Sequence, residues 1–195
     1  MKYYAVKKGR SPGIYKTWDQ CQKEVIGFKG AIFKSFKNYE EAYNFINDNK
    51  KEDIQIDKNT AIAYVDGSFN LEKRIYSCGV VFFEDDKIIK KNQSYDDKFY
   101  VHRNVAGELY GAMMAIEMAI SKNKKQIIIY HDYQGIASWA NNQWKTNNEL
   151  TRLYKEFIDE KRKLIDIKFV KVKGHSNDKY NDLADKLAKE ACGIV

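Results

Sequence analysis

The chain has 195 residues, 44% of them hydrophobic and 14% aromatic, and a net charge of +7. That length holds one ordinary domain, or one such domain and a small module, with enough apolar content for a packed core. No apolar run approaches the roughly 20 residues of a membrane span. Met1-Lys2-Tyr3-Tyr4 opens no apolar stretch of signal-peptide length. The three cysteines (Cys21, Cys78 and Cys192) are far apart and match no metal spacing. A cytoplasmic, monomeric protein with reduced thiols and no membrane partner is therefore expected.

The charge is uneven. Residues 1–50 carry ten Lys/Arg against five Asp/Glu, and the remainder 24 against 22. A basic balance favours a polyanionic partner such as nucleic acid. A solvated lysine-rich surface would explain the same charge equally well.

In chain order, Tyr3-Tyr4-Ala5-Val6 reads as a strand, and the Gly9-Arg10-Ser11-Pro12-Gly13 turn returns the chain through Ile14-Tyr15. Thr17-Trp18-Asp19-Gln20 has the Thr-x-x-Gln form of a capping box, so a helix begins there. Ala31 to Phe36 alternates like a strand, and Asn38-Tyr39-Glu40-Glu41 repeats the cap signal before a helix ending near Asn47. Three short strands and two helices thus form a module over 1–47. The polar run that follows reads as a linker over 48–57.

A larger domain is expected over 58–195. Ala61 to Val65 is nearly continuously apolar, the mark of a central buried strand. Tyr76 to Phe83 and Lys87 to Gln93 are two more strands, joined by a turn at Glu84-Asp85-Asp86. Ala106 to Ile120 is helical, Ile127 to Tyr130 is a second buried strand, and two helices fill 134–163. Ile167 to Val172 is a last strand and Asp178 to Ala191 a last helix. This order implies an α/β fold with one five-stranded mixed sheet flanked by helices.

Asp66 is expected to end the first buried strand and Asp132 the second. Ligands in open α/β sheets bind beyond the carboxyl ends of strands, so two such aspartates would lie close together. Either one alone reads better as a turn-former or helix cap. Glu108 is harder to dismiss. It shares a helical stripe with Ala112, Ala115, Ile116 and Ala119, and an ionised carboxylate on so apolar a face is costly unless paired or bound to metal. Asp182 and Asp185 begin the last helix, where acidic residues are common anyway, and spacing does not choose between them. Converging carboxylates repel one another, and a cation relieves that repulsion. Hard oxygen ligands select Mg²⁺ or Mn²⁺, and two such ions can activate water and stabilise a leaving oxygen in phosphodiester hydrolysis.

Val65-Asp66-Gly67-Ser68, Gly107-Glu108-Leu109, His131-Asp132-Tyr133-Gln134, and Val172-Lys173-Gly174-His175 followed by Asn181-Asp182-Leu183-Ala184-Asp185 resemble the ordered motifs of type 1 ribonuclease H. The resemblance covers residues 60–192. It implies that Asp66, Glu108, Asp132 and Asp185 hold two Mg²⁺ ions, with Mn²⁺ able to substitute. Asp185 rather than Asp182 is chosen because the family pattern is Asn-x-x-x-Asp from Asn181. His175 matches a mobile histidine that helps product leave, and Asn104 and Gln134 match residues that touch the substrate backbone and minor groove. The implied reaction is endonucleolytic hydrolysis of the RNA strand of RNA–DNA hybrids, leaving a 5′-phosphate and a 3′-hydroxyl.

Residues 1–47 resemble the small hybrid-binding module that precedes many such catalytic domains, through Tyr3 to Arg10, Gly13-Ile14-Tyr15, Thr17-Trp18 and Phe33-Lys34-Ser35-Phe36. The resemblance puts Tyr4, Trp18, Phe33 and Lys34 on its binding face; core packing is the competing reading of the aromatics, and the less favoured one for Trp18 and Phe33. Tyr133 stands where the family has Ser, and only four residues separate Trp139 from Trp144, so the basic helix found there in some relatives is missing. The basic module is expected to supply the lost affinity, in which case deleting residues 1–50 should weaken hybrid binding and flatten its salt dependence. Two other functions compete. A transposase- or integrase-like nuclease would need only the carboxylates, and a non-catalytic hybrid- or double-stranded-RNA-binding protein would be marked by a missing carboxylate.

Overall fold

The computed structural model describes residues 2–37, 39–46, 57–84, 87–172 and 178–194. The chain forms two compact units, Met1–Gln55 and Ile56–Val195. Apart from Asp57, the expected linker lies outside the described residues, as do Asn38, Asn47 and the Asp85-Asp86 turn.

In the first unit, β1 (Tyr3–Lys8), β2 (Gly13–Tyr15) and β3 (Ile32–Phe36) form an antiparallel sheet in the order β2-β1-β3. Helix α1 (Trp18–Val25) starts where the cap signal predicts: the Thr17 hydroxyl accepts from the Gln20 amide at 3.4 Å. Its far end is closed by Arg10, whose guanidinium donates to the Lys23 and Ile26 carbonyls at 2.8 Å each. Those carbonyls belong to the last turn, where a helix has no amides of its own to offer. Val6 of the sheet packs with Cys21 and Val25 of α1 in a small core, and Ala5 of β1 and Ala42 of α2 (Tyr39–Ile46) are also buried.

The second unit is a five-stranded mixed sheet in the order β6-β5-β4-β7-β8. Strands β4 (Thr60–Asn70), β5 (Ile75–Glu84) and β6 (Lys87–Tyr95) form an antiparallel meander. β7 (Gln126–His131) and β8 (Asp166–Lys171) add to β4 in parallel. A 3₁₀ turn (Lys98–His102) leads into α3 (Asn104–Ser121), and α4 (Gly135–Ala140) and α5 (Glu149–Lys161) connect β7 to β8. Among the described residues no helix separates Trp139 from Trp144. Helix α6 (Lys179–Cys192) completes the unit. The core is built from Ala61, Ala63 and Val65 of β4, Ile127 and Ile129 of β7, and the small-residue stripe of α3.

One expectation needs correction. Asp66 does not end its strand, because β4 runs on to Asn70. The antiparallel pairing with β5 continues to Asn70↔Ile75, whereas the parallel pairing with β7 stops at Tyr64↔Tyr130. Asp66 therefore lies two residues past the point where β4 loses β7. The cleft opens there although the strand does not stop.

Candidate active site

Glycines set how closely the helices approach this point. A Cβ on Gly67 would fall 2.3 Å from the Asn104 carbonyl oxygen and 2.4 Å from the Glu108 nitrogen, and one on Gly107 would fall 2.0 Å from the Ser77 carbonyl oxygen. On the opposite face of the sheet, a Cβ on Gly79 would fall 2.1 Å from the Ala184 carbonyl oxygen. α3 and α6 thus rest directly on strand backbone, bringing Glu108 and Asp185 to a common cleft.

That cleft, about 290 Å³, is lined by Asp66, Gly67, Asn104, Glu108, Asp132, Asn181, Asp182, Asp185 and Lys189. Ligand oxygens of Asp66, Glu108 and Asp132 all lie within 4.8 Å of one another. Asp66 is 7% exposed and Glu108 2%. The Gly67 amide donates to Asp66 Oδ1 at 2.7 Å, fixing that carboxylate, while Glu108 Oε2 is buried without any hydrogen-bond partner. Asp185 stands outside the tight trio and accepts from Lys189 Nζ at 2.7 Å, one helical turn on.

The electrostatics follow from burial and crowding. Burial, with the Asp132 charge adding to it, raises Asp66 from 3.8 to about 7. Burial, with Asp66 and Asp132 adding, raises Glu108 well above the usual carboxylate range. An orphaned buried oxygen and hard-oxygen donors in mutual repulsion fit a divalent cation; either feature alone would be weaker support.

Comparison with known proteins places the chain in a family. The family described as RNase H matches residues 58–193, and the Ribonuclease H1 N-terminal domain matches residues 2–46. The chain belongs to the ribonuclease H family. Ribonuclease H1 of Mus musculus is 24% identical over 255 aligned positions, covering 96% of this chain and 88% of the relative. A Ribonuclease H of Saccharomyces cerevisiae is 52% identical over 44 residues, and there the chain spans only 13% of the relative's length. The crystal structure of RNase H1 from Halobacterium salinarum superposes with a TM-score of 0.58 at 22% identity, over 70% of this chain and 99% of that one, and so shares the fold.

The remaining candidate residues of this ribonuclease H are distributed as follows. Asn104 opens α3 and lines the cleft, after Arg103 at φ 55°, a backbone angle that is uncommon for a non-glycine residue. Gln134 precedes α4, is half-buried, and donates to Ser138 Oγ at 3.1 Å. Tyr133 packs over Gly135 and against Trp139. Its hydroxyl is raised by burial and then by the charge of Glu108. His175, with Lys173 and Gly174, lies outside the described residues. In the first unit, Trp18 and Phe33 are 41% and 43% exposed, so they are not core. Tyr4, Trp18 and Phe33 form one ring cluster, with centroids 5.7 and 5.9 Å apart. Lys34 is exposed but does not join it: strand alternation turns it to the other face, where its ammonium sits 5.6 Å from the Phe36 ring centre.

Besides Gly67 and Asp182, two cleft residues escaped the sequence reading as site members. Lys189 was detectable as the i+4 partner of Asp185. Asn181 entered only as the start of a motif, yet it heads a buried stripe with Ala184, Ala188 and Cys192, as Glu108 heads the stripe of α3.

Proposed function

We propose that this ribonuclease H hydrolyses the RNA strand of RNA–DNA hybrids endonucleolytically by a two-metal-ion mechanism. The observation that carries the reading is the convergence of Asp66, Glu108 and Asp132 oxygens within 4.8 Å, including the partnerless Glu108 Oε2. These three, with Asp185 across the cleft, would hold the cations, Mg²⁺ by preference and Mn²⁺ as a substitute. When bound, the ions supply an activated water and stabilise the departing oxygen. The protein's own groups do the positioning. The Gly67 amide orients Asp66, and Lys189 offsets the charge of Asp185. Asn104 and Gln134 face the hybrid backbone and minor groove, where the 2′-hydroxyl distinguishes RNA from DNA. His175 assists product release.

The separate unit over 1–47, joined through 48–57 to the catalytic domain over 58–195, holds the hybrid. Aromatic faces of Tyr4, Trp18 and Phe33 pack on sugars, while Lys34, on the other face of the sheet, does not share that surface. The test offers labelled hybrid, double-stranded RNA and double-stranded DNA to the protein with Mg²⁺ or with EDTA. Only the hybrid should be cut, only with metal, and only in its RNA strand. Asp132→Asn should abolish cutting while hybrid binding persists; retained cutting in that variant would refute the assignment.

A further inference from the structure

We infer that Asn181 is a fifth, neutral oxygen ligand of the cation held in the cleft. The inference rests on the reading of the carboxylates as a cation site.

Three observations converge on its side-chain oxygen. Asn181 is 3% exposed, it lines the same cleft as Asp66, Asp132 and Asp185, and its Oδ1 is buried with no hydrogen-bond partner. A buried carbonyl oxygen left bare costs free energy in a folded protein, so an unsatisfied one calls for an explanation. Outside the cleft no such reason is needed for its neighbours: Ala184, Ala188 and Cys192 on the same stripe of α6 are simply packed against the sheet. Glu108 Oε2 is the only other buried side-chain oxygen in this condition among the described residues, and it borders the same cleft.

The backbone at Asn181 is also held in place before any ligand arrives. Asp178 caps α6, and its Oδ1 accepts from the Asn181 amide at 3.3 Å, so residue 181 sits in the first, fixed turn of the helix. Chemistry favours an amide here over a further carboxylate. Burial, with the charges of neighbouring carboxylates adding to it, already raises Asp66 and Glu108 above the usual carboxylate range. A further anion would add to that repulsion in the empty site, whereas a carbonyl oxygen is a hard ligand that adds none.

The experiment titrates Mn²⁺ alone into the full-length chain by isothermal calorimetry, and separately records melting in EDTA at pH 8. Asn181→Ala should weaken Mn²⁺ binding about tenfold, while melting in EDTA no lower than wild type, because the bare oxygen is gone. Asn181→Asp keeps the shape; it should bind Mn²⁺ more tightly and melt lower in EDTA. Wild-type Mn²⁺ affinity in Asn181→Ala overturns the inference, and so does a lower melting temperature in EDTA, which would make Asn181 a structural residue. Asp132→Asn separates the two levels. If it loses Mn²⁺ while Asn181→Ala does not, only the role of Asn181 falls. If Asp132→Asn still binds like wild type, the carboxylate reading itself falls.

Discussion

Replacing Asp66 by Asn should stabilise the metal-free protein while destroying its response to Mg²⁺. Asp66 is 7% exposed and raised from 3.8 to about 7, first by burial and then by Asp132. A group raised in the fold binds its proton more readily there than in the unfolded chain. The associated stability is therefore fully present below about 3.8 and is lost as pH rises through about 7. At pH 8 the ionised carboxylate costs the fold up to about 4 kcal/mol. Asn keeps the oxygen that accepts from the Gly67 amide and removes the charge. Part of the gain is spent on burying its new amide, so a net stabilisation of about 1–3 kcal/mol is expected in EDTA at pH 8. Urea unfolding of both proteins at pH 5 and pH 8 measures it, and the difference between them cancels the titrating groups that do not interact with Asp66. Added Mg²⁺ should stabilise wild type and leave Asp66→Asn nearly unmoved. If Asp66→Asn is the less stable protein in EDTA at pH 8, or if its advantage does not grow between pH 5 and pH 8, the repulsion argument is wrong.

Three further outcomes are expected. Gly79→Ala forces a Cβ to within 2.1 Å of the Ala184 carbonyl oxygen and 2.7 Å of the Ala188 nitrogen, so it should destabilise the second unit by about 3 kcal/mol and cut activity by displacing α6; thermal unfolding and hybrid cleavage report both. Trp18→Ala, at a site 41% exposed, should cost about 1–3 kcal/mol in hybrid affinity if its ring stacks on the nucleic acid, yet move the melting temperature little; salt-controlled binding titrations check it. Burial pushes His131 from 6.5 down to about 4, so the unfolded chain takes up a proton that the fold rejects. Stability should rise through that window and fall by about 3 kcal/mol as the pH is lowered from 6.5 to 4. His131→Asn should flatten that slope in acid unfolding.

How much of this could be read in the sequence depended on whether the signal was local. The Thr17 cap, the buried strands of the second unit and the apolar stripe beneath Glu108 are periodic or positional, and each appears where it was expected. The extent of β4 was not legible, because Asp66-Gly67-Ser68 reads as a strand end. What extends the strand is its pairing with β5 across nine residues, a tertiary fact. The close packing of α6 on Gly79 was hidden for the same reason: a lone Gly in a strand does not say which helix will lie on it. The three rings of the first unit were legible only through family resemblance, since exposed and buried aromatics look alike in one sequence. Asn181 is different. The stripe argument that singled out Glu108 applies equally to it, but a neutral amide at the head of a small-residue stripe attracts less notice than a carboxylate.

The position of the cleft has a structural cause. Among the described residues β4 is the one strand that pairs antiparallel on one side and parallel on the other, and the two ladders have unequal length. Beyond Tyr64 the β7 side of β4 is unpaired, while β5 still holds the strand straight. A carboxylate at Asp66 is therefore rigid without being covered by the next strand, and β7 ends just in time to present Asp132 beside it. Gly67 and Gly79 then admit α3 and α6 close to the sheet from opposite faces, so that Glu108 and Asp185 line the same cleft. Crowding anions at such a rigid point works against folding in the absence of a cation. Rigidity also keeps the carboxylates from relaxing apart, so the repulsion that weakens the empty site is the same free energy that a bound cation recovers.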